Sequence, residues 1–136
     1  MKEPTHAPAY VSLYPMLVRV ARHHGYALAA HGSLGNDFDL IAAPWITAAD
    51  DAETLIRAIA AAIEYARDRI ISVDRLFDVP YTEARPHGRQ SWCIPLECGA
   101  RLDISVMPRE KVHWNPRIDT STPIRVARAA SGAKAE

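Results

Sequence analysis

The sequence predicts an α+β fold, a mixed β-sheet with helices packed mainly on one face, and three observations carry that prediction. Two segments repeat apolar residues at helical spacing. Four short runs read as strands, and they fall as one pair before the second helix and one pair after it. The 136 residues, 49% of them hydrophobic, suffice for one domain whose core needs no disulfide or metal staple.

The first helix is expected over Ser12 to His24, where Leu13, Leu17, Val20 and Ala21 recur at three- and four-residue steps. Ser12 would cap it, Pro15 would fall in its first turn, and Gly25 would end it. Tyr26 to His31 reads as a short strand. The glycines and asparagine of Gly32-Ser33-Leu34-Gly35-Asn36 make a tight connection to a second strand, Asp37 to Pro44. There Asp37 and Asp39 share one face, and Phe38 and Leu40 share the other.

Thr47 to about Arg67 carries the strongest helical signal. Thr47 with Asp50 suggests a capping box, Asp50, Asp51 and Glu53 suit the positive end of the dipole, and Leu55, Ile59, Ala62, Ile63 and Ala66 form an apolar stripe. Residues 68 to 89 read mostly as loop with one edge strand, being punctuated by Pro80, Pro86 and Gly88. Gln90 to Leu96 and Arg101 to Met107 are strand-like runs joined by the hairpin loop Glu97-Cys98-Gly99-Ala100. Arg101, Asp103 and Ser105 fall on one face of the last strand.

This reading divides the chain into an extension over 1–11, a domain over 12–108, and a basic segment over 109–136 whose end is expected to be disordered. The last segment holds six basic and three acidic residues, a net +3 against −3 for the rest. Sixteen basic residues balance sixteen acidic ones overall, which excludes a polyanion-binding surface spread over the whole chain. Any nucleotide contact must be local. No apolar stretch approaches the roughly 20 residues that cross a bilayer, and the polar start MKEPTHAPAY lacks a signal region, so a cytoplasmic protein without a membrane partner is expected. Cys93 and Cys98 lack metal-site spacing and read as reduced thiols with no shared task.

Aspartate is disfavoured in strands, yet Asp37, Asp39 and Asp103 all occupy strand positions opposite the apolar residues. Were the Asp103 strand to pair beside the Asp37–Asp39 strand, three carboxylates would meet on one small patch. Their repulsion is relieved by a divalent cation, and Mg²⁺ favours hard carboxylate oxygens while leaving positions for water or phosphate. Two such ions about 3.5–4 Å apart can serve phosphoryl or nucleotidyl transfer. Gly32 would let the backbone approach a phosphate, and Ser33 offers it a hydroxyl and an N–H.

With its Gly-Ser turn leading into D-x-D, HGSLGNDFDLIAAPW, together with the later LDISV, resembles the DNA-polymerase-β-like nucleotidyltransferase superfamily, and in particular small phage and prophage proteins reduced to its catalytic core. The resemblance spans roughly Leu13 to Pro108. The spacer Leu34-Gly35-Asn36 is shorter than in most members. The resemblance implies that Gly32 and Ser33 hold the triphosphate of a nucleoside triphosphate and that Asp37 and Asp39 bind two Mg²⁺ or Mn²⁺ ions. It implies that Asp103 completes one metal site and helps deprotonate the acceptor hydroxyl. The activity implied is transfer of a nucleoside monophosphate to an acceptor hydroxyl of RNA, a protein or a small molecule, with release of pyrophosphate. The helical domain that often grips base or acceptor has no counterpart here, so a protein partner or a second copy is expected to supply it. The alternative is a catalytically silent domain of this fold that binds a nucleotide or a protein.

Other residues admit a functional and a structural reading. His31 could touch a phosphate or pack at a strand end, and His23 and His24 suit the negative end of a helix dipole. Trp45, Trp92 and Trp114 could stack on a base or fill core. Arg109, Lys111, Arg117, Arg125 and Arg128 could guide a polyanion or form an exposed tail.

Overall fold

The computed structural model describes residues 5–67 and 85–109. In chain order these form α1 (Ala7–His23), β1 (Tyr26–His31), β2 (Asp37–Pro44), α2 (Ala52–Arg67), a 3₁₀ turn (Pro86–Gly88), β3 (Gln90–Pro95) and β4 (Arg101–Val106). The four strands make one mixed sheet in the order β1-β2-β4-β3. β1 runs antiparallel to β2, β2 parallel to β4, and β4 antiparallel to β3. A parallel pair requires a crossover, and α2 lies within the connection between β2 and β4.

Both helices pack on one face of the sheet, and among the described residues no element covers the other. Tyr10, Leu13, Leu17 and Ala21 of α1 and Leu55, Ile56, Ile59, Ala60 and Ile63 of α2 are buried there, against Leu28, Phe38, Leu40, Trp92, Ile94, Leu102 and Ile104. Within β2 and β4 the alternation is regular: even-numbered residues enter the core, odd-numbered ones face outward. Trp92 is therefore a core residue.

Both helices and the last two strands have boundaries that differ from the sequence reading. α1 begins at Ala7, not Ser12, because Pro8 provides the early-helix proline and the Thr5 hydroxyl accepts the Ala7 N–H at 3.2 Å. Residues 7–11, read as extension, are thus helix, and Tyr10 lies at the centre of the core. Pro15 sits inside the helix on its exposed side. The carbonyl of exposed Val11, which loses its amide partner to Pro15, can be met by water.

α2 begins at Ala52, not Thr47. Asp51 is its cap, its Oδ1 accepting the Thr54 N–H at 2.8 Å. Ala66, placed on the apolar stripe by its spacing, is exposed. The helix signal overran because residues 46–51 form a separate turn, pinned by the Asp50 N–H to the His24 carbonyl at 3.1 Å and by His24 Nδ1 to Asp50 Oδ2 at 2.7 Å. β3 and β4 each end one residue before the expected limit. The edge strand expected within 68–89 and the disordered end of 109–136 fall largely outside the described residues. No helix among the described residues is long and apolar enough to cross a membrane.

Candidate functional site

The open face of the sheet is laid out in rungs. One rung places His31, Asp39, Asp103 and Cys93 side by side across all four strands, since His31 pairs with Asp39, Asp39 with Asp103, and Asp103 with Cys93. Adjacent strands are about 4.8 Å apart, so Asp39 and Asp103 are neighbours in the sheet, with the Asp39 carboxylate lying against Gly32 on the β1 side. The next rung toward the start of β2 pairs Asp37 with Arg101. All three aspartates therefore share the face opposite the helices.

Asp37 is paired with Arg101 across the two strands. Arg101 Nε reaches its Oδ1 at 2.7 Å and Nη2 its Oδ2 at 3.0 Å, a two-pronged ion pair. These hydrogen bonds also hold the guanidinium proton more tightly than usual. Of the three aspartates, Asp37 is engaged by Arg101 in this structure, while Asp39 and Asp103 share the next rung. Among the described residues no group of three or more His, Cys, Asp or Glu side chains is placed to hold one metal ion. Asp39 and Asp103 are the residues of this rung that could hold a single Mg²⁺ or Mn²⁺, an ion that commonly takes one or two carboxylates and fills its other positions with water and phosphate oxygens.

The turn before β2 shows why its sequence is what it is. Gly32 has φ +76°, and a Cβ there would lie 2.2 Å from Asp39 Oδ2. Glycine is needed both for the left-handed backbone and for the space Asp39 occupies. Ser33 Oγ accepts the Gly35 N–H at 3.3 Å and so shapes the turn it stands in. Its exposed hydroxyl can still donate a hydrogen bond to an anion. Leu34, at φ +58°, packs against the core and anchors the short spacer. The start of α1 ties the spacer down further: the Thr5 hydroxyl donates to the Leu34 carbonyl at 3.4 Å and the His6 N–H to the Gly35 carbonyl at 3.5 Å.

One core side chain joins this turn to β4. The Tyr10 hydroxyl donates to the Asn36 carbonyl and accepts the Arg101 N–H at 3.3 Å, while its ring stacks on Phe38 with centroids 5.1 Å apart. Tyr10 therefore fixes both strand starts from beneath and sets the height of the Asp37–Arg101 rung. Sequence reasoning missed Tyr10 by placing it before the helix. It placed Arg101 on the Asp103 face but had no signal for its partner, because the register of β2 against β4 joins residues 64 positions apart.

The remaining candidates separate clearly. His31 and Cys93 flank the acidic pair. Partial burial, then the nearby Asp103 and Asp37 charges, push the Cys93 thiol up against the opposing effect of Arg101, so at neutral pH it stays protonated and adds no thiolate to the rung. Cys93 and Cys98 are both free thiols. His24 is engaged by Asp50. Trp45 is 79% exposed. It borders a cleft of about 380 Å³ with Val18, Arg22 and Ile46 at the edge of β1. Arg109 donates to the Ala49 carbonyl at 3.1 Å, beyond the far end of β4. Trp114, Lys111, Arg117, Arg125 and Arg128 lie outside the described residues. Comparison with family models, with curated proteins and with solved structures gave no match to this chain.

Proposed function

We propose that the chain is a metal-dependent nucleotidyltransferase-type domain that binds a nucleoside triphosphate at the Asp39–Asp103 rung and transfers its nucleoside monophosphate to an acceptor hydroxyl. The observation that supports this best is the parallel register of Asp39 with Asp103 beside the Gly32-Ser33 turn. A polar turn and an acidic pair come together on one sheet face although Asp103 follows Asp39 by 64 positions.

A divalent cation on Asp39 and Asp103 would offset the charge that builds on the transferring phosphoryl group. The chain's own residues do the rest. The Ser33 hydroxyl and the backbone of the turn receive triphosphate oxygens. The acceptor oxygen bonds to the α-phosphorus as the bond from that phosphorus to the bridging oxygen breaks. Pyrophosphate leaves, and the acceptor proton passes to a carboxylate, a role for which exposed Asp103 is available. The acceptor is RNA, a protein or a small molecule, and a partner protein or second copy of the chain would grip it.

The Asp37–Arg101 ion pair favours a second reading, a domain that binds nucleotide without turnover, because it withdraws one of the three acidic side chains used by the family. Incubation with nucleoside triphosphates labelled on the α-phosphate, Mg²⁺ or Mn²⁺ and a lysate separates the two. Label on an acceptor, lost in Asp39→Ala, supports transfer. Binding without consumption supports the silent domain, and neither binding nor consumption overturns both.

A further inference from the structure

We propose that the free edge of β1 is a strand-addition site for an extended segment of another protein, one that combines apolar and acidic side chains and seats them against the cleft beside Trp45 and Arg22. The site is independent of the acidic rung, which β1 reaches only through His31 at its other end. Three features of the chain carry it.

The first is the backbone of β1. In the sheet order it has β2 on one side and, among the described residues, no strand on the other. The Trp45 N–H donates to the Gly25 carbonyl at 2.8 Å, and the register continues with Tyr26 opposite Pro44 and Ala27 opposite Ala43. Antiparallel pairs alternate between bonded and unbonded, so Ala27, Ala29 and His31 direct their peptide groups to β2 while those of Tyr26, Leu28 and Ala30 point away from it. The Tyr14 hydroxyl marks the same direction, reaching from α1 to donate to the Leu28 carbonyl at 2.9 Å. That carbonyl keeps a second lone pair, and the peptide groups of Tyr26 and Ala30 have no partner on this side among the described residues. No proline, charged residue or bulge within Tyr26–Ala30 blocks the approach of an extended chain.

The second is the cleft of about 380 Å³ that borders this edge. Val18 and Arg22 reach it from α1, and Trp45 and Ile46 from the turn after β2. Trp45 is 79% exposed and Ile46 54%, so large apolar surface lies beside unpaired backbone. Asp50, bonded to His24 through both its N–H and its carboxylate, holds that turn in place.

The third is charge. Among the described residues Arg22 is the one charged side chain lining the cleft, and no ion pair holds it. Its helix contains no acidic residue to neutralise it or the neighbouring Arg19 and His23. A segment carrying Asp or Glu complements this edge. A second copy of the chain does not, because neither edge strand, β1 or β3, contains an acidic residue. Tyr26 to Ala30 accommodates about five residues of a partner strand, whose alternate side chains share one side, so an apolar and an acidic residue two positions apart can reach the cleft and Arg22 together.

The test is selection of a displayed library of random twelve-residue peptides on the full chain. Affinities of the enriched peptides are then measured by fluorescence anisotropy for wild type, Trp45→Ala and Arg22→Glu, each shown to be folded by circular dichroism. Enriched peptides are expected to combine Asp or Glu with alternating apolar residues and to lose at least about tenfold in affinity for either variant. N-methylation of every second peptide amide should abolish binding in one register and spare it in the other, since an added strand bonds through alternate residues. No enrichment, or enrichment of basic peptides, overturns the proposal. So does affinity that neither folded variant lowers, or that N-methylation in neither register lowers. The wild-type chain is also examined by light scattering and titrated with a twelve-nucleotide oligothymidylate. A dimer that Trp45→Ala dissociates assigns the edge to a second copy, and oligonucleotide binding lost in that variant, without peptide binding, assigns it to single-stranded nucleic acid; either result overturns the proposal.

Discussion

Replacing Gly32 by alanine tests how the turn and the acidic strand are fitted together. At φ +76° an L-residue carries a backbone cost of about 1–2 kcal/mol. The new Cβ would also meet Asp39 Oδ2 at 2.2 Å and Cγ at 3.1 Å. That contact is with a short side chain at the sheet surface, which can turn away, so it adds at most about 1 kcal/mol as a displaced rotamer. With a urea dependence of about 1–1.5 kcal/mol per M for a domain of this size, the midpoint should fall by about 1–2 M with no change in slope. Asp39→Ala should relieve only the rotamer part, so the double variant still unfolds about 1 M below Asp39→Ala alone. Equilibrium urea unfolding followed by circular dichroism measures all four corners of this cycle. A midpoint for Gly32→Ala within about 0.2 M of wild type would refute the left-handed turn. Full rescue by Asp39→Ala would show that crowding, not backbone conformation, selects glycine.

Tyr10→Phe keeps the ring stacking on Phe38 but leaves the Asn36 carbonyl and Arg101 N–H without the hydroxyl, at a cost of about 1–2 kcal/mol measured by urea unfolding. A loss below about 0.3 kcal/mol would show that Tyr10 does not hold the two strands. Ile59→Ala, at a fully buried position beneath the sheet, should cost about 3 kcal/mol in the same measurement, and a loss under 1 kcal/mol would contradict the packing of α2. Asp51→Ala should cost about 1 kcal/mol at pH 7 through loss of the Thr54 cap. The cap's hydrogen bond lowers the Asp51 carboxyl below its ordinary 3.8, so its contribution is complete above that pH and vanishes as pH falls through the lower folded value. Unfolding curves of the two proteins should therefore converge in acid, and a gap that persists at pH 2 would assign the effect to something other than the ionised cap.

The strands were legible because their signals are local. Alternation placed Asp37, Asp39 and Asp103 on the face away from the helices, and the Gly and Asn residues between β1 and β2 marked the turn. Both helix starts were misplaced for a common reason. A polar residue ahead of an apolar stripe does not fix where the first turn closes: α1 carries His6 at its N-cap with no side-chain capping bond, and α2 is capped by Asp51, not Thr47. Tyr10 reaching Asn36 and Arg101, and His24 reaching Asp50, are invisible to periodicity. The site was legible to the level of faces but not of partners. That Asp39 meets Asp103 while Asp37 meets Arg101 depends on a parallel register between strands separated by a helix and a hairpin. A shift of that register would have exchanged a closed ion pair for a further crowded carboxylate.

Under the proposed function, Asp39 and Asp103 form a cation-dependent nucleotide site while Asp37 stays paired with Arg101. Calorimetric titration of the wild-type chain with a nucleoside triphosphate, with and without Mg²⁺, tests it most directly when run beside Asp37→Asn, Asp39→Asn and Asp103→Asn. The account predicts Mg²⁺-dependent binding that Asp39→Asn and Asp103→Asn each weaken at least tenfold and Asp37→Asn leaves nearly intact. Absence of nucleotide binding by the wild type, or binding that ignores both Mg²⁺ and Asp39, would contradict it.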